Sequence, residues 1–112
     1  MKNLSEYQMC AQRLKALADP ERLRIVNCLL AGPRNVGDLA EQLDDEIVKV
    51  SHHLGILRNA GLVQSTKQGR FVVYELHPDV AASAPTSSPK HIDLGCCRLE
   101  LEKDSPKSKH SA

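Results

Sequence analysis

A chain of 112 residues, 41% of them apolar, is enough for one domain with one modest core. Aromatic residues make up only 3%, so that core has to be aliphatic. A net charge of +1 gives no general polycation, and Met1 to Cys10 holds no signal-like apolar run. No stretch approaches the ~18 apolar residues of a membrane span, so no membrane partner is expected. The expected compartment is the cytoplasm. There the four cysteines are expected as thiols or ligands rather than as a disulfide framework.

Charge is unevenly distributed. Asp38, Glu41, Asp44, Asp45 and Glu46 form an acidic stretch without a base. From Lys49 to Arg70 the order reverses: Lys49, Arg58, Lys67 and Arg70, with His52 and His53, and no acid. A basic segment in a near-neutral chain marks a local polyanion contact or a solvated face.

In chain order, residues 4–18 predict a helix with Tyr7, Cys10, Ala11, Leu14 and Ala18 on one stripe. Asp19 and Pro20 suit the cap and first position of a second helix, which runs to about Ala31 with Leu23, Val26, Leu29 and Leu30 inward. Asn35 can cap a short third helix, Val36 to Leu43. Asp44-Asp45-Glu46 supply a turn and negative charge before a fourth helix, about Ile47 to Asn59. Its apolar face is expected to hold Ile47, Val50, Leu54 and Leu57. Its other face is expected to hold Lys49, His52, His53 and Ile56. Gly61 is placed to stop the helix in a left-handed conformation.

The period then changes to two. Leu62–Lys67 and Phe71–Leu76 predict strands joined by a tight Gln68-Gly69 turn, with Arg70 beside its tip. The expected fold class is therefore α+β, mainly α: a winged helix-turn-helix of four helices, a β-hairpin wing and an extended C-terminal segment. The expected divisions are a winged-helix domain over 1–80, a linker over 81–90, a cysteine-pair strand over 91–102 and a disordered tail over 103–112. In the third of these, apolar residues alternate on both sides of Cys96-Cys97 and change parity there, which suggests one extended strand with a bulge.

Leu14-Lys15-Ala16-Leu17-Ala18-Asp19-Pro20-Glu21-Arg22-Leu23-Arg24-Ile25 resembles the opening of the ArsR/SmtB family of bacterial metalloregulators. So does Val50-Ser51-His52-His53-Leu54-Gly55-Ile56-Leu57-Arg58-Asn59-Ala60-Gly61-Leu62-Val63, and the hairpin with Gly69 and Tyr74-Glu75-Leu76 is similar to the family's wing. The resemblance covers about residues 8–79. It implies a homodimeric repressor, not an enzyme, that binds a double-stranded DNA operator without a cofactor and leaves it when an inducer binds.

A helix fits the major groove, and residues 47–59 are the expected reading helix. Lys49 is placed for phosphate or guanine, and Ser51 and His52 for phosphate or bases. His53 is placed for DNA or a partly buried site, and Arg58 for the DNA backbone or an internal acid. Lys67, Gln68 and Arg70 on the wing are placed for phosphate or minor groove. Ser51 bonded within its helix, and solvated wing charges, are the structural alternatives.

The inducer site departs from two family patterns. Asn35-Val36-Gly37-Asp38-Leu39 lacks the family's Cys-x-Cys, and Pro85 and Pro89 leave no long C-terminal helix for its Asp/His site. Cys96-Cys97 remains, a pair suited to a soft ion, and some arsenic-responsive family members resemble this chain in carrying a C-terminal cysteine pair. As(III) or Sb(III) is the expected inducer, with another thiophilic metal as the alternative. The third ligand is open between Cys10, the weaker Cys28, and solvent oxygen; Cys10 also suits a buried or interface thiol. Oxidation or persulfidation of the pair is the competing signal. A winged-helix interaction module without DNA is the competing function. A thiol enzyme is disfavoured, because the pair lacks the two-residue gap of redox motifs.

Overall fold

A computed structural model describes residues 3–81 and 91–102. Four helices come first or nearly so: α1 (Leu4–Leu17), α2 (Pro20–Leu30), α3 (Val36–Leu43) and α4 (Ile47–Asn59). The strands are β1 (Arg34–Asn35), β2 (Val63–Gln68), β3 (Phe71–Leu76), β4 (Ile92–Asp93) and β5 (Arg98–Leu99). The linker expected at 81–90 lies, apart from Ala81, outside the described residues, as does the tail expected at 103–112.

Local chemistry sets each boundary. The Asn3 side chain accepts from the Glu6 N–H at 2.9 Å and Glu6 reaches back to the Asn3 N–H at 3.2 Å, closing a capping box on α1. At α2 the Asp19 carboxylate accepts from the N–H groups of Glu21 (2.8 Å) and Arg22 (3.2 Å). The Arg22 N–H, helped by that of Glu21 and by the Arg22 guanidinium, holds the Asp19 carboxyl below its ordinary value. Asn35 caps α3 by accepting from the Asp38 N–H at 2.8 Å. Asp44, at φ 53°, turns the chain between α3 and α4, a conformation that Asp tolerates better than most residues. Gly61, at φ +76°, ends α4 as its spacing predicts.

The core is aliphatic. Ile25, Val26 and Leu29 of α2, Leu39, Ala40 and Leu43 of α3, and Val50, Leu54 and Leu57 of α4 are all buried. Leu62, Val63, Val80, Ile92 and Leu94 join them from the strands and connections. Ile47 departs from its expected inward position: it is 53% exposed, at the margin of the face that Val50, Leu54 and Leu57 bury. The α1 stripe is likewise largely uncovered. Of its expected members Cys10 is buried, whereas Tyr7 and Leu14 are exposed together with Leu4 and Met9.

The wing is a β2–β3 hairpin in which Val63 pairs with Leu76 and Gln68 with Phe71. That register leaves Gly69-Arg70 as the two-residue turn, one position later than the sequence pattern suggests. Gly69, at φ +62°, supplies the left-handed residue such a turn needs. β1 adds a third antiparallel strand, with Arg34 opposite Tyr74 and Asn35 opposite Val73. Two residues carry too little periodicity to be read as a strand beforehand.

The C-terminal segment corrects the single bulged strand expected over 91–102. It is a hairpin: Ile92 pairs with Leu99 and Asp93 with Arg98. Gly95, at φ +100°, turns the chain, and the Asp93 side chain accepts from the Gly95 N–H at 2.9 Å. The change of parity at the cysteine pair marks a reversal of direction, which a Gly and an Asx turn produce and a bulge does not. The hairpin sits on the domain through Asp93 N–H to Val80 C=O (2.8 Å) and through buried Ile92 and Leu94.

Leu54 is fully buried at the middle of α4. Leu54→Ala should lower the free energy of unfolding by about 3 kcal/mol, read as a fall in urea midpoint at constant slope.

Candidate nucleic-acid interface and three-sulfur cluster

Because α4 buries Val50, Leu54 and Leu57, the 3.6-residue period dictates which positions point outward. They are Val48, Ser51, His52, Gly55 and Asn59, one stripe at spacings of three and four. Val48, Ser51, His52 and Asn59 are exposed and Gly55 is half-buried. The expected outer face of Lys49, His52, His53 and Ile56 is thus rotated: only His52 lies on the outward stripe.

Lys49 flanks it and pairs with Asp45 at 3.6 Å, both near the helix start. The Glu46 N–H and the Lys49 ammonium together hold the Asp45 carboxyl below its ordinary value. His53 is half-buried on the side facing α2, where its Nδ1 lies 3.2 Å from Arg22 Nη1. Its ring centroid is 5.7 Å from that of His52. Arg58 is exposed in the last turn, where a cation suits the helix dipole.

Arg22 ties three helices together. Its Nε donates to the Ala16 carbonyl of α1, and its Nη1 reaches both Asp19 (3.9 Å) and His53 of α4. This node had no sequence signal beyond its place three residues after a capping Asp. It makes His53 a link between α4 and α2. Lys67, Gln68 and Arg70 are all exposed at the wing, Arg70 within the turn itself.

A second cluster lies at α1. Cys10 and Cys96 are joined as a disulfide, with their Cα atoms 5.9 Å apart, an ordinary separation for such a bond. This corrects the expectation of cysteines held only as thiols or ligands: the Gly95 turn carries Cys96 onto α1, a pairing that cysteine count alone cannot give. Cys97 Sγ lies 3.9 Å from Cys10 Sγ, and the three sulfurs fall within 4.8 Å of one another. They grade from buried Cys10 through half-buried Cys96 to exposed Cys97. All three come from one chain. Cys28, on α2, is not part of the group.

Arg13 holds the cysteine loop in place. One helical turn after Cys10, its Nη1 donates to the Leu94 carbonyl at 3.2 Å. Its Nε is buried and has no hydrogen-bond partner among the described residues.

A three-sulfur ion site with bonds of about 2.3 Å keeps its sulfurs within about 4 Å of each other. The cluster, within 4.8 Å, would reach that only after reduction, when the Cys10 and Cys96 sulfurs part and the three draw to comparable distances. As a disulfide it is instead the oxidised member of a thiol couple.

Comparison with known proteins follows the same lines. The family described as bacterial regulatory protein, arsR family, matches residues 19–65. The HTH-type transcriptional regulator NmtR of Mycobacterium tuberculosis is 49% identical over 88 residues, 76% of this chain and 73% of NmtR. The chain belongs to the ArsR family. It is a transcriptional regulator and not an enzyme. The arsenical resistance operon repressor of Escherichia coli is 45% identical over 74 residues, 65% of this chain and 63% of that repressor. The homodimeric winged helix-turn-helix DNA-binding domain of Mb0332 from Mycobacterium bovis superimposes with a TM-score of 0.60 at 30% identity. The match spans 62% of this chain and 65% of that one. The winged-helix reading of helices and hairpin is therefore the observed ArsR-family fold. Cys10, Cys96 and Cys97 all lie outside the 19–65 match. Membership of the family thus leaves the chemistry of the sulfur cluster to its own geometry. Among the described residues no helix is long and apolar enough to cross a membrane.

The two neighbouring histidines should separate cleanly. His53→Ala breaks the bond to Arg22 and should lower stability by about 1 kcal/mol. His52→Ala, at an exposed site, should change it by less than about 0.5 kcal/mol. Thermal melts of the two variants check this.

Proposed function

We propose that the protein is a homodimeric, cytoplasmic repressor that sets α4 into the major groove of operator DNA and is released by As(III) or Sb(III) bound at Cys10, Cys96 and Cys97. The observation that carries the inducer reading is the convergence of three sulfurs from α1 and the C-terminal hairpin within 4.8 Å. Arsenous acid exchanges three As–O bonds for three As–S bonds. Each thiol proton leaves with a hydroxide as water, and no outside base is needed. The Cys10–Cys96 disulfide must first accept two electrons and two protons from a cellular thiol reductant.

In the operator complex Ser51 and His52 face base edges, and Lys49 turns from Asp45 toward phosphate. Arg58 and the wing residues Lys67, Gln68 and Arg70 hold the flanking backbone. Doubling four cations per subunit gives about six to eight phosphate contacts and a correspondingly steep salt dependence. The exposed α1 residues Leu4, Tyr7, Met9 and Leu14 supply the apolar face of the dimer; the homodimeric Mb0332 domain supports that assembly. α1 packs on α2 and α4, so a shift of Cys10 on ion binding is felt at the reading helix.

One observation favours a second signal at the same site. The disulfide between Cys10 and Cys96 is what a peroxide makes from two thiols, taking two electrons while two protons leave. Cys97 has no part in that bond, which separates the two signals.

Operator binding titrated with arsenite, on protein reduced with a phosphine, tests the first reading. The parent should lose affinity by about tenfold or more. A variant with Cys96→Ser and Cys97→Ser together should not respond. Equal responses remove the pair from the mechanism. Cys97→Ser alone should lose the arsenite response and keep a peroxide response if oxidation is a second input. Arg70→Ala should weaken all duplexes similarly, whereas His52→Ala should change sequence preference.

A further inference from the structure

The outward stripe of α4 contains two residues that no feature of the fold requires. Val48 is 77% exposed, more than any other large apolar side chain among the described residues, and Ile47 beside it is 53% exposed. Valine is a mediocre helix former, and nothing among the described residues covers this one. Gly55 lies two turns further along the same stripe, between His52 and Asn59. A Cβ built there meets nothing within 4 Å, and its backbone has the ordinary right-handed helical conformation. Glycine in the middle of an exposed helix destabilises it relative to alanine. Neither packing nor backbone conformation accounts for either choice.

Both choices are accounted for by something outside the chain. We infer that Val48 reads a thymine methyl and that Gly55 is bare so that α4 can seat against the edge of the groove. This deepens the operator reading above and rests on it. In the major groove the only apolar group on any base edge is the C5-methyl of thymine. An exposed branched apolar side chain near the helix N-terminus, the end that enters the groove, is its complement. His52 and Ser51 then supply polar contacts one turn along. At Gly55 the missing side chain leaves room for the sugar–phosphate wall or a base edge to approach the helix backbone.

The occupant is duplex DNA rather than a second copy of the chain for a reason of charge and place. The stripe itself carries His52, its flanks carry Lys49 and Arg58, and the basic wing follows; the acids before α4 lie at its very start, where Asp45 is paired with Lys49, and the apolar residues of α1 form a separate uncovered face.

The test uses the full-length reduced protein and a duplex that it selects from a random pool. Each thymine of the selected half-site is replaced in turn by deoxyuridine, which removes only the methyl. One replacement should weaken binding by about fourfold, the weight of one buried methyl. Val48→Ala should bind the parent duplex more weakly and no longer distinguish that thymine from uracil. Its salt dependence should be unchanged. Gly55→Ala should raise the melting temperature while weakening binding by about tenfold, since an added methyl in a filled contact is overpacked. Opposite signs for stability and affinity are what a merely structural glycine would not give.

If no thymine methyl matters, or if the effect survives in Val48→Ala, the reading role is overturned. If Gly55→Ala binds as the parent does, the close approach is overturned. A change in oligomeric state in Val48→Ala with unchanged affinity would assign the patch to a second copy instead. Failure to select any duplex would overturn the operator reading itself, and this inference with it.

Discussion

Everything that faces outward on α4 is set by what it buries. Val50, Leu54 and Leu57 are each no more than 1% exposed and lie on one side of a helix of fixed pitch. Holding those three in an aliphatic core removes the freedom of the helix to rotate. The remaining positions follow from geometry: Val48, Ser51, His52 and Gly55 outward, His53 toward α2, Lys49 to the flank. The Arg22 node, bonded to Ala16, Asp19 and His53, adds a polar brace where α1, α2 and α4 meet. A rotation of α4 by one residue would expose a leucine and break that brace together, so both interactions enforce the same register.

The C-terminal hairpin joins this frame at a different point. Ile92 and Leu94 are buried, Arg13 grips the Leu94 carbonyl, and Cys96 bonds to Cys10 on α1. The sulfur cluster is therefore tied to the helix that also presents the uncovered apolar face and packs on α4. In the reading proposed above, an ion and an oxidant would compete for the same buried sulfur, that of Cys10. The disulfide blocks a three-thiolate site, and a bound ion protects the thiols from oxidation. Only Cys97, the exposed member, belongs to one chemistry and not to the other.

The helices were legible because each carried its own boundary chemistry. Asp19-Pro20, Asn35 and Gly61 are local signals, and each acts in the structure where its type predicts. The tight turn of the wing was legible to within one residue, since either neighbour of Gly69 could share the turn until the pairing register was known. Two features of the backbone were not legible. β1 is too short to carry a pattern. The reversal at Gly95 imitates a bulge, because both change the parity of alternation. The outer face of α4 follows from the three buried residues that the sequence did indicate, whereas Ile47, at the margin of their face, is exposed although its spacing matched theirs.

The amino-acid sequence by itself determined the order of the four helices and the wing, the caps of α2 and α3, the winged helix-turn-helix and the family, because these rest on near-neighbour chemistry and short-range period. Tertiary structure alone decided that Cys10, Cys96 and Cys97 meet, that His53 serves the interior while His52 faces out, and that Arg13 and Arg22 act as ties. Those partners are separated by as many as 87 positions. No local preference encodes such a distance; it is set only when the aliphatic core closes and the chain returns over α1.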